Sequence, residues 1–178
     1  MQKRFSVREL SYISLFATLI SVSGYITIPL PISTVPVTAQ TLAVMLAGGL
    51  LPPVHAAVSV LVFLLMGAVG IPVFAGGTAG LGIIAGKTGG YLIGFIAGAF
   101  LISLLKGKKP GLLRLLSINI LGGIIAVYAF GVLWLDHVTG IGISKAIVFG
   151  ALPFIPGDIV KIIIAALITL KLHSHVRL

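Results

Sequence analysis

Apolar residues run along this chain in long stretches, broken at prolines, glycine-rich turns and short basic groups. The pattern predicts six membrane-crossing helices, at about 10–28, 38–52, 54–71, 88–105, 112–134 and 153–172, because about 20 apolar residues cover the hydrocarbon core of a bilayer. Pro29, Pro31 and Pro36 separate the first two runs, since proline lacks the amide donor that a helix ladder requires. Pro52-Pro53 forces a turn after the second run, and Pro72 ends the third. The second run is short, which suits a segment that partly lines a cavity. The stretch at 72–87, PVFAGGTAGLGIIAGK, is glycine-rich yet apolar. It reads either as a lid folded back over a pocket or as a flexible connector.

Composition turns this pattern into a fold class. Hydrophobic residues make up 58% of the 178 and charged ones 8%, with a mean hydropathy of +1.24, too apolar for a soluble surface. The expectation is an all-α integral membrane protein, a single transmembrane domain over 1–178. The amino terminus, with Lys3, Arg4 and Arg8 before an apolar stretch, has the look of a signal peptide. No small-residue cleavage site follows, so it is expected to be a retained span.

The net charge of +9 does not imply nucleic acid, because the basic residues sit in small groups between apolar runs. They report topology instead. Lys3, Arg4 and Arg8 precede the first span, Lys106, Lys108, Lys109 and Arg114 separate the fourth from the fifth, and Lys171 and Arg177 follow the last. Six spans place all of these on one side, so both termini are expected to be cytoplasmic. The outer loops then hold only Lys87 and Lys145. Zero cysteines exclude disulfides, thiolate metal sites and cysteine nucleophiles. No metal is expected from His55, His137, His173 and His175, which lack helical ligand spacing within a span. No internal repeat of the kind that builds secondary transporters is evident.

Two nucleotide-binding patterns nearly form. Gly86-Lys87-Thr88 looks like the end of a phosphate loop, but Leu81 stands where the first glycine belongs. Gly80-Leu81-Gly82 followed by Ala85 matches a loose dinucleotide fingerprint. Both need a strand–loop–helix unit, and here they fall between membrane spans. No catalytic set is present either, so an enzyme is not expected.

The candidate chemistry lies where polar groups interrupt apolar runs. The chain has three acidic residues, and Asp158 lies three positions before Lys161 at the mouth of the last run. A lipid-facing charge is costly, roughly 2.5–3.5 kcal/mol at a bilayer centre even on the lenient insertion scale. Pro156 and Gly157 place Asp158 at or near a helix N-cap, with Lys161 one turn deeper on the same face. The pair reads either as a ligand-facing hot spot or as a capping aspartate neutralised by its own lysine. Gln40, beside Thr38 and Thr41, offers an amide suited to a urea or amide group, or caps the second helix. Tyr91 follows Gly89 and Gly90, which leave space beside the ring, or it is an interfacial belt residue as Trp134 is expected to be. Lys87 attracts an anion to the outer mouth or marks the end of a loop. Ser14, Ala17, Thr18 and Ser21 form overlapping small-residue pairs on the first span, suited to close approach by another helix of this chain or of a separate subunit.

The blocks PVTAQTLAVMLAGGLL from Pro36, GIPVFAGG from Gly70, KTGGYLIGF from Lys87 and PFIPGDIVK from Pro153 together resemble the BioY family. These are the biotin-specific substrate-binding (S) components of energy-coupling factor (ECF) transporters. The resemblance covers essentially the whole chain. It implies a multi-pass protein of the cell (plasma) membrane that captures biotin at the outer face. It also implies partnership with a transmembrane coupling subunit and cytoplasmic ATPases, so that ATP is used only by the partners and no cofactor is bound. Asp158, Lys161 and Gln40 would hydrogen-bond biotin, with Tyr91 and Phe74 enclosing its apolar rings and Lys87 as a further contact. The family tends to carry alanines in an A-x-x-x-A docking pattern on the first helix, where Ser14, Thr18 and Ser21 stand here. An S component for riboflavin or thiamine and a proton-coupled carrier using Asp158 as relay are the competing readings. Monomeric, homo-oligomeric and coupled states all remain compatible with the sequence.

Overall fold

The computed structural model describes residues 6–31, 33 and 35–173. Lys3, Arg4, His175 and Arg177 lie outside these, so the terminal basic groups used above for orientation rest on sequence alone. The described chain is mostly helical. The helices are α1 (Val7–Ser23), α2 (Gln40–Leu50), α3 (Pro53–Ala68), the short α4 (Leu81–Ala85), α5 (Gly89–Lys106), α6 (Leu112–Asn119), α7 (Val127–Thr139), α8 (Ile143–Gly150) and α9 (Ile155–Leu172). A π-helical turn, Ile120–Ala126, joins α6 to α7 without a break.

Among the described residues, three stretches are long and apolar enough to cross a membrane: Gly89–Lys106, Leu112–Thr139 and Ile143–Leu172. α2, with 11 residues, and α3, with 16, are apolar but shorter. The outward faces suit lipid. Along α9, Ile159, Val160, Ile163, Ile164, Leu167 and Leu170 are all exposed.

Several expected boundaries move, each for a local reason. The first helix ends at Ser23, not near 28. Beyond it, Thr27–Ile28 (β1) pairs antiparallel with Val37–Thr38 (β2), Thr27 opposite Thr38. The fold is therefore not wholly α: a two-stranded hairpin takes up the proline-rich segment. The fifth helix runs on to Thr139, where Gly140 ends it in the left-handed conformation (φ 65°). The last segment begins earlier than 153, with α8 and a 3-10 turn, Leu152–Phe154, leading into α9.

At its start, α1 carries a capping box in which Ser6 and Glu9 exchange hydrogen bonds. Glu9 also lies 3.2 Å from His55 Nε2, tying the first turns of α1 and α3. The first-span small residues divide between two faces. Ala17 and Ser21 are buried in the core, whereas Ser14 and Thr18 are exposed. For Ala17 and Ser21 the expected docking role thus gives way to packing within the chain.

Glycine sets how closely the helices approach. Gly90, Gly94 and Gly98 line one face of α5, which packs on α7 and the π turn. A Cβ on Gly90 would come 2.2 Å from Trp134 Cβ, and one on Gly98 2.5 Å from the Gly122 carbonyl oxygen. Gly49 on α2 admits Thr169 of α9 in the same way, 2.4 Å from such a Cβ. With no hydrophobic drive between helices in lipid, such close packing carries the association. Gly98→Val should therefore lower the stability of the purified protein by about 1–3 kcal/mol. Gly111→Ala meets nothing within 4 Å and should change it by less than about 0.5 kcal/mol. Denaturation in detergent checks both, and equal effects would contradict the packing account.

Candidate functional site

α2, α5, α7, α9, residues 35–38 and the loop after α3 line a half-open cavity of about 240 Å³. Its wall is mostly apolar, from Phe74, Ile83, Leu92, Phe95 and Phe154 among others. The polar groups gather on the side formed by α2, α7 and α9.

Asp158 is the centre of that group. Its carboxylate is 1% exposed, and buried charge is tolerable only when donors replace the lost water. Three side chains supply them. Lys161 Nζ donates to Oδ1 at 2.8 Å, and Thr41 Oγ1 donates to the same oxygen at 3.3 Å. The Tyr128 hydroxyl donates to Oδ2. Lys161 Nζ also donates to Thr41 Oγ1 at 3.0 Å, closing a ring of three contacts. All four residues line the cavity.

The local sequence explains the placement. Asp158 lies near the N-cap of α9, as expected; Phe154 holds the cap position itself, and Pro156 and Gly157 lie inside the first turn. Proline is tolerated there because the first helical amides have no intrahelical acceptor. Asp158 still sits in the first turn, where the helix dipole favours an anion, and Lys161 one turn on reaches back to it.

Gln40 opens α2 and is 2% exposed. Ala39 holds the N-cap, and Thr38 Oγ1 accepts from the Gln40 backbone amide at 3.3 Å, so the Gln40 carboxamide is not needed to cap the helix. Its Nε2 donates to the Val73 carbonyl at 3.3 Å, at the edge of the cavity. Phe74 is 1% exposed, with its ring pressed on Gly67 and edge-on to Phe63 at 5.5 Å.

Tyr91 lines the cavity, but its hydroxyl donates to the Gly150 carbonyl at 2.7 Å. Gly89 and Gly90 do not open space beside that ring. They are filled by the Ile84 carbonyl and Trp134, and the glycines against the Tyr91 ring are Gly131 and Gly150. Trp134 is more than a belt residue, since its Nε1 donates to the Gly86 carbonyl at 2.9 Å.

The structure thus brings together Asp158, Lys161, Gln40, Tyr91 and Phe74. Lys87 is exposed and does not line the cavity, and Ser14, Ala17, Thr18 and Ser21 lie apart from it. Sequence reading missed Tyr128 and Phe154, and it named Thr41 only as a neighbour of Gln40. A single hydroxyl or aromatic ring in an apolar run carries no distinguishing signal. The edge-on rings of Tyr91 and Tyr128, 6.4 Å apart, appear only in three dimensions.

Comparison with known proteins bears on the family and the fold of the whole chain. A model of the BioY family matches residues 1–178. The biotin transporter BioY of Rhizobium etli is 42% identical over 172 residues, spanning 92% of this chain and 91% of the relative. The biotin transporter BioY of Thermotoga maritima is 41% identical over 168 residues, spanning 94% and 97%. A crystal structure of the S-component for biotin from an ECF-type ABC transporter superposes with a TM-score of 0.88. It is 32% identical and spans 98% of this chain and 95% of that one.

Tyr128→Phe keeps the ring and removes the donor to Oδ2 of a buried carboxylate. It should destabilise the ligand-free protein by about 1–3 kcal/mol, read from unfolding in detergent. An unchanged unfolding midpoint would show that Asp158 does not depend on this hydroxyl.

Proposed function

The chain belongs to the BioY family, and we propose on that basis that it is the biotin-binding S component of an ECF-type uptake transporter. It is a transport subunit, not an enzyme. The observation that carries the ligand assignment is the division of the cavity between a buried polar cluster, Asp158, Lys161, Thr41 and Tyr128, and an apolar aromatic wall. Biotin is divided in the same way. Its ureido ring donates and accepts hydrogen bonds, its thioether ring is apolar, and its tail ends in a carboxylate. Asp158 offers acceptors, Lys161 and Gln40 offer donors, and Phe74 and Tyr91 supply apolar surface.

In this reading the chain is one substrate-binding domain of the plasma membrane, with six spans and both termini cytoplasmic. Biotin enters from the outer face, where the glycine-rich loop meets the cavity. A transmembrane coupling subunit and cytoplasmic ATPases supply the energy, and ATP is used by those partners alone. The exposed pair Ser14 and Thr18 on α1 is the part of the small-residue pattern left free for such a subunit. Lys87, away from the cavity, acts at most by drawing an anion toward the loop.

Titration calorimetry of the purified protein against biotin, riboflavin and thiamine tests the ligand. Biotin alone should bind tightly, and tight binding of another vitamin with none of biotin would overturn the assignment. Asp158→Asn and Lys161→Ala each remove one member of a buried charged pair. In the proposed site each is also a hydrogen-bond partner of the ligand, and losing one charged hydrogen bond to it, about 1.5–3 kcal/mol, weakens Kd about 10-fold or more. Unchanged biotin affinity in both variants would remove the pair from the site.

A further inference from the structure

The loop after α3 supplies Phe74, Ala75, Thr78, Ile83 and Thr88 to the wall of the half-open cavity, opposite Val35, Pro36, Val37 and Thr38. Its two halves are held very differently. The first half is pinned at several points. Phe74 is wedged against Gly67 and Phe63. The Tyr25 hydroxyl donates to the Pro72 carbonyl at 2.5 Å, Gln40 Nε2 donates to Val73, and the Gly76 amide donates to the Gly24 carbonyl at 2.9 Å.

The second half, Gly80 to Thr88, contains α4, which has no buried residue. Gly80 enters it at φ 101°, with nothing within 4 Å of where a Cβ would stand. Its amide bonds the Gly67 carbonyl at 2.7 Å, which fixes the pivot and not the far end. At that far end, among the described residues, one side chain from outside the segment holds it by a hydrogen bond: Trp134 Nε1 to the Gly86 carbonyl, 2.9 Å. The same indole fills the corner between α4 and α5, where a Cβ on Gly89 would lie 3.1 Å from Nε1. Trp134 itself does not line the cavity.

We propose that Trp134 is the positioning residue that latches α4 over the cavity, so that it governs how fast ligand enters and leaves without contacting it. α4 swings on Gly80 while the Phe74 half stays in place, and freeing it takes rupture of the indole–Gly86 hydrogen bond together with release of the half-buried Ile83 and Ile84 from the core. This rests on the reading of the cavity as the biotin site. The latch bonds protein to protein and Trp134 touches no cavity surface, so on this proposal its loss accelerates both directions together. A ligand contact would behave differently, weakening affinity through dissociation alone.

Trp134→Phe keeps an aromatic ring against Gly90 and removes the N–H. Losing one neutral hydrogen bond is worth about a fivefold change in the opening equilibrium. Stopped-flow binding of biotin should therefore show association and dissociation both about fivefold faster, with Kd within about twofold of wild type. Hydrogen exchange of the ligand-free protein should show faster exchange of the amides at 81–86. Gly80→Ala adds a methyl to empty space but strains the backbone of the closed loop. It should shift both rates the same way, and it stands in if Trp134→Phe does not fold. Unchanged rates with unchanged exchange would overturn the latch, as would faster dissociation with proportionally weaker Kd. If wild type fails to bind biotin, the functional reading falls, and exchange at α4 still decides the latch.

Discussion

A carboxylate withdrawn from water inside an apolar bundle must be surrounded by donors, and the rest of this structure is arranged around that requirement at Asp158. Leaving such a charge without its partner costs about 3–5 kcal/mol, a large fraction of the stability of a typical domain. The donors come from three helices. Lys161 is on α9 with Asp158, Thr41 is on the first turn of α2, and Tyr128 is at the start of α7. The cluster therefore exists only when α2, α7 and α9 are held at one distance and one rotation.

Glycine and the π turn supply that geometry. Gly49 lets α2 close on α9 at Thr169, and Gly94 and Gly98 let α5 close on α7 and on Gly122. The π turn Ile120–Ala126 lies directly before Val127 and Tyr128, both of which line the cavity. A π turn changes the rotational register of the residues that follow it, and such turns recur at functional sites. Here it lies immediately before the residue whose hydroxyl meets Asp158. On the opposite side α4 contributes Ile83 to the apolar wall and has no fully buried residue of its own.

Much of this was legible in the chain, for identifiable reasons. Apolar run length is a direct consequence of bilayer thickness, so each expected span coincides with observed helix to within a few residues at one or both ends. Charge inside an apolar run is rare enough to single out Asp158 and Lys161 without a structure. Helix ends were less legible, because they depend on partners distant in sequence: β1 stops the first helix by pairing across ten residues with β2. Tyr128 and Thr41 were not legible as site residues, since neither residue type is unusual in a membrane helix and only the fold brings them to the carboxylate. Gly90, Gly94 and Gly98 show their spacing openly, but the sequence does not say which helix they meet. Ser14 and Ala17 likewise look equivalent in sequence, and only packing shows that one faces out and the other in.

The central claim is that the Asp158 cluster is the polar half of a biotin site and not an internal brace. A structure of the protein determined with biotin bound tests it most directly. Biotin should occupy the cavity with a polar atom within hydrogen-bond distance of Asp158 or Lys161, and its rings should lie against Phe74 and Tyr91. Biotin seated elsewhere, or lying in the cavity with Asp158 and Lys161 bonded only to each other and to protein neighbours, would contradict it.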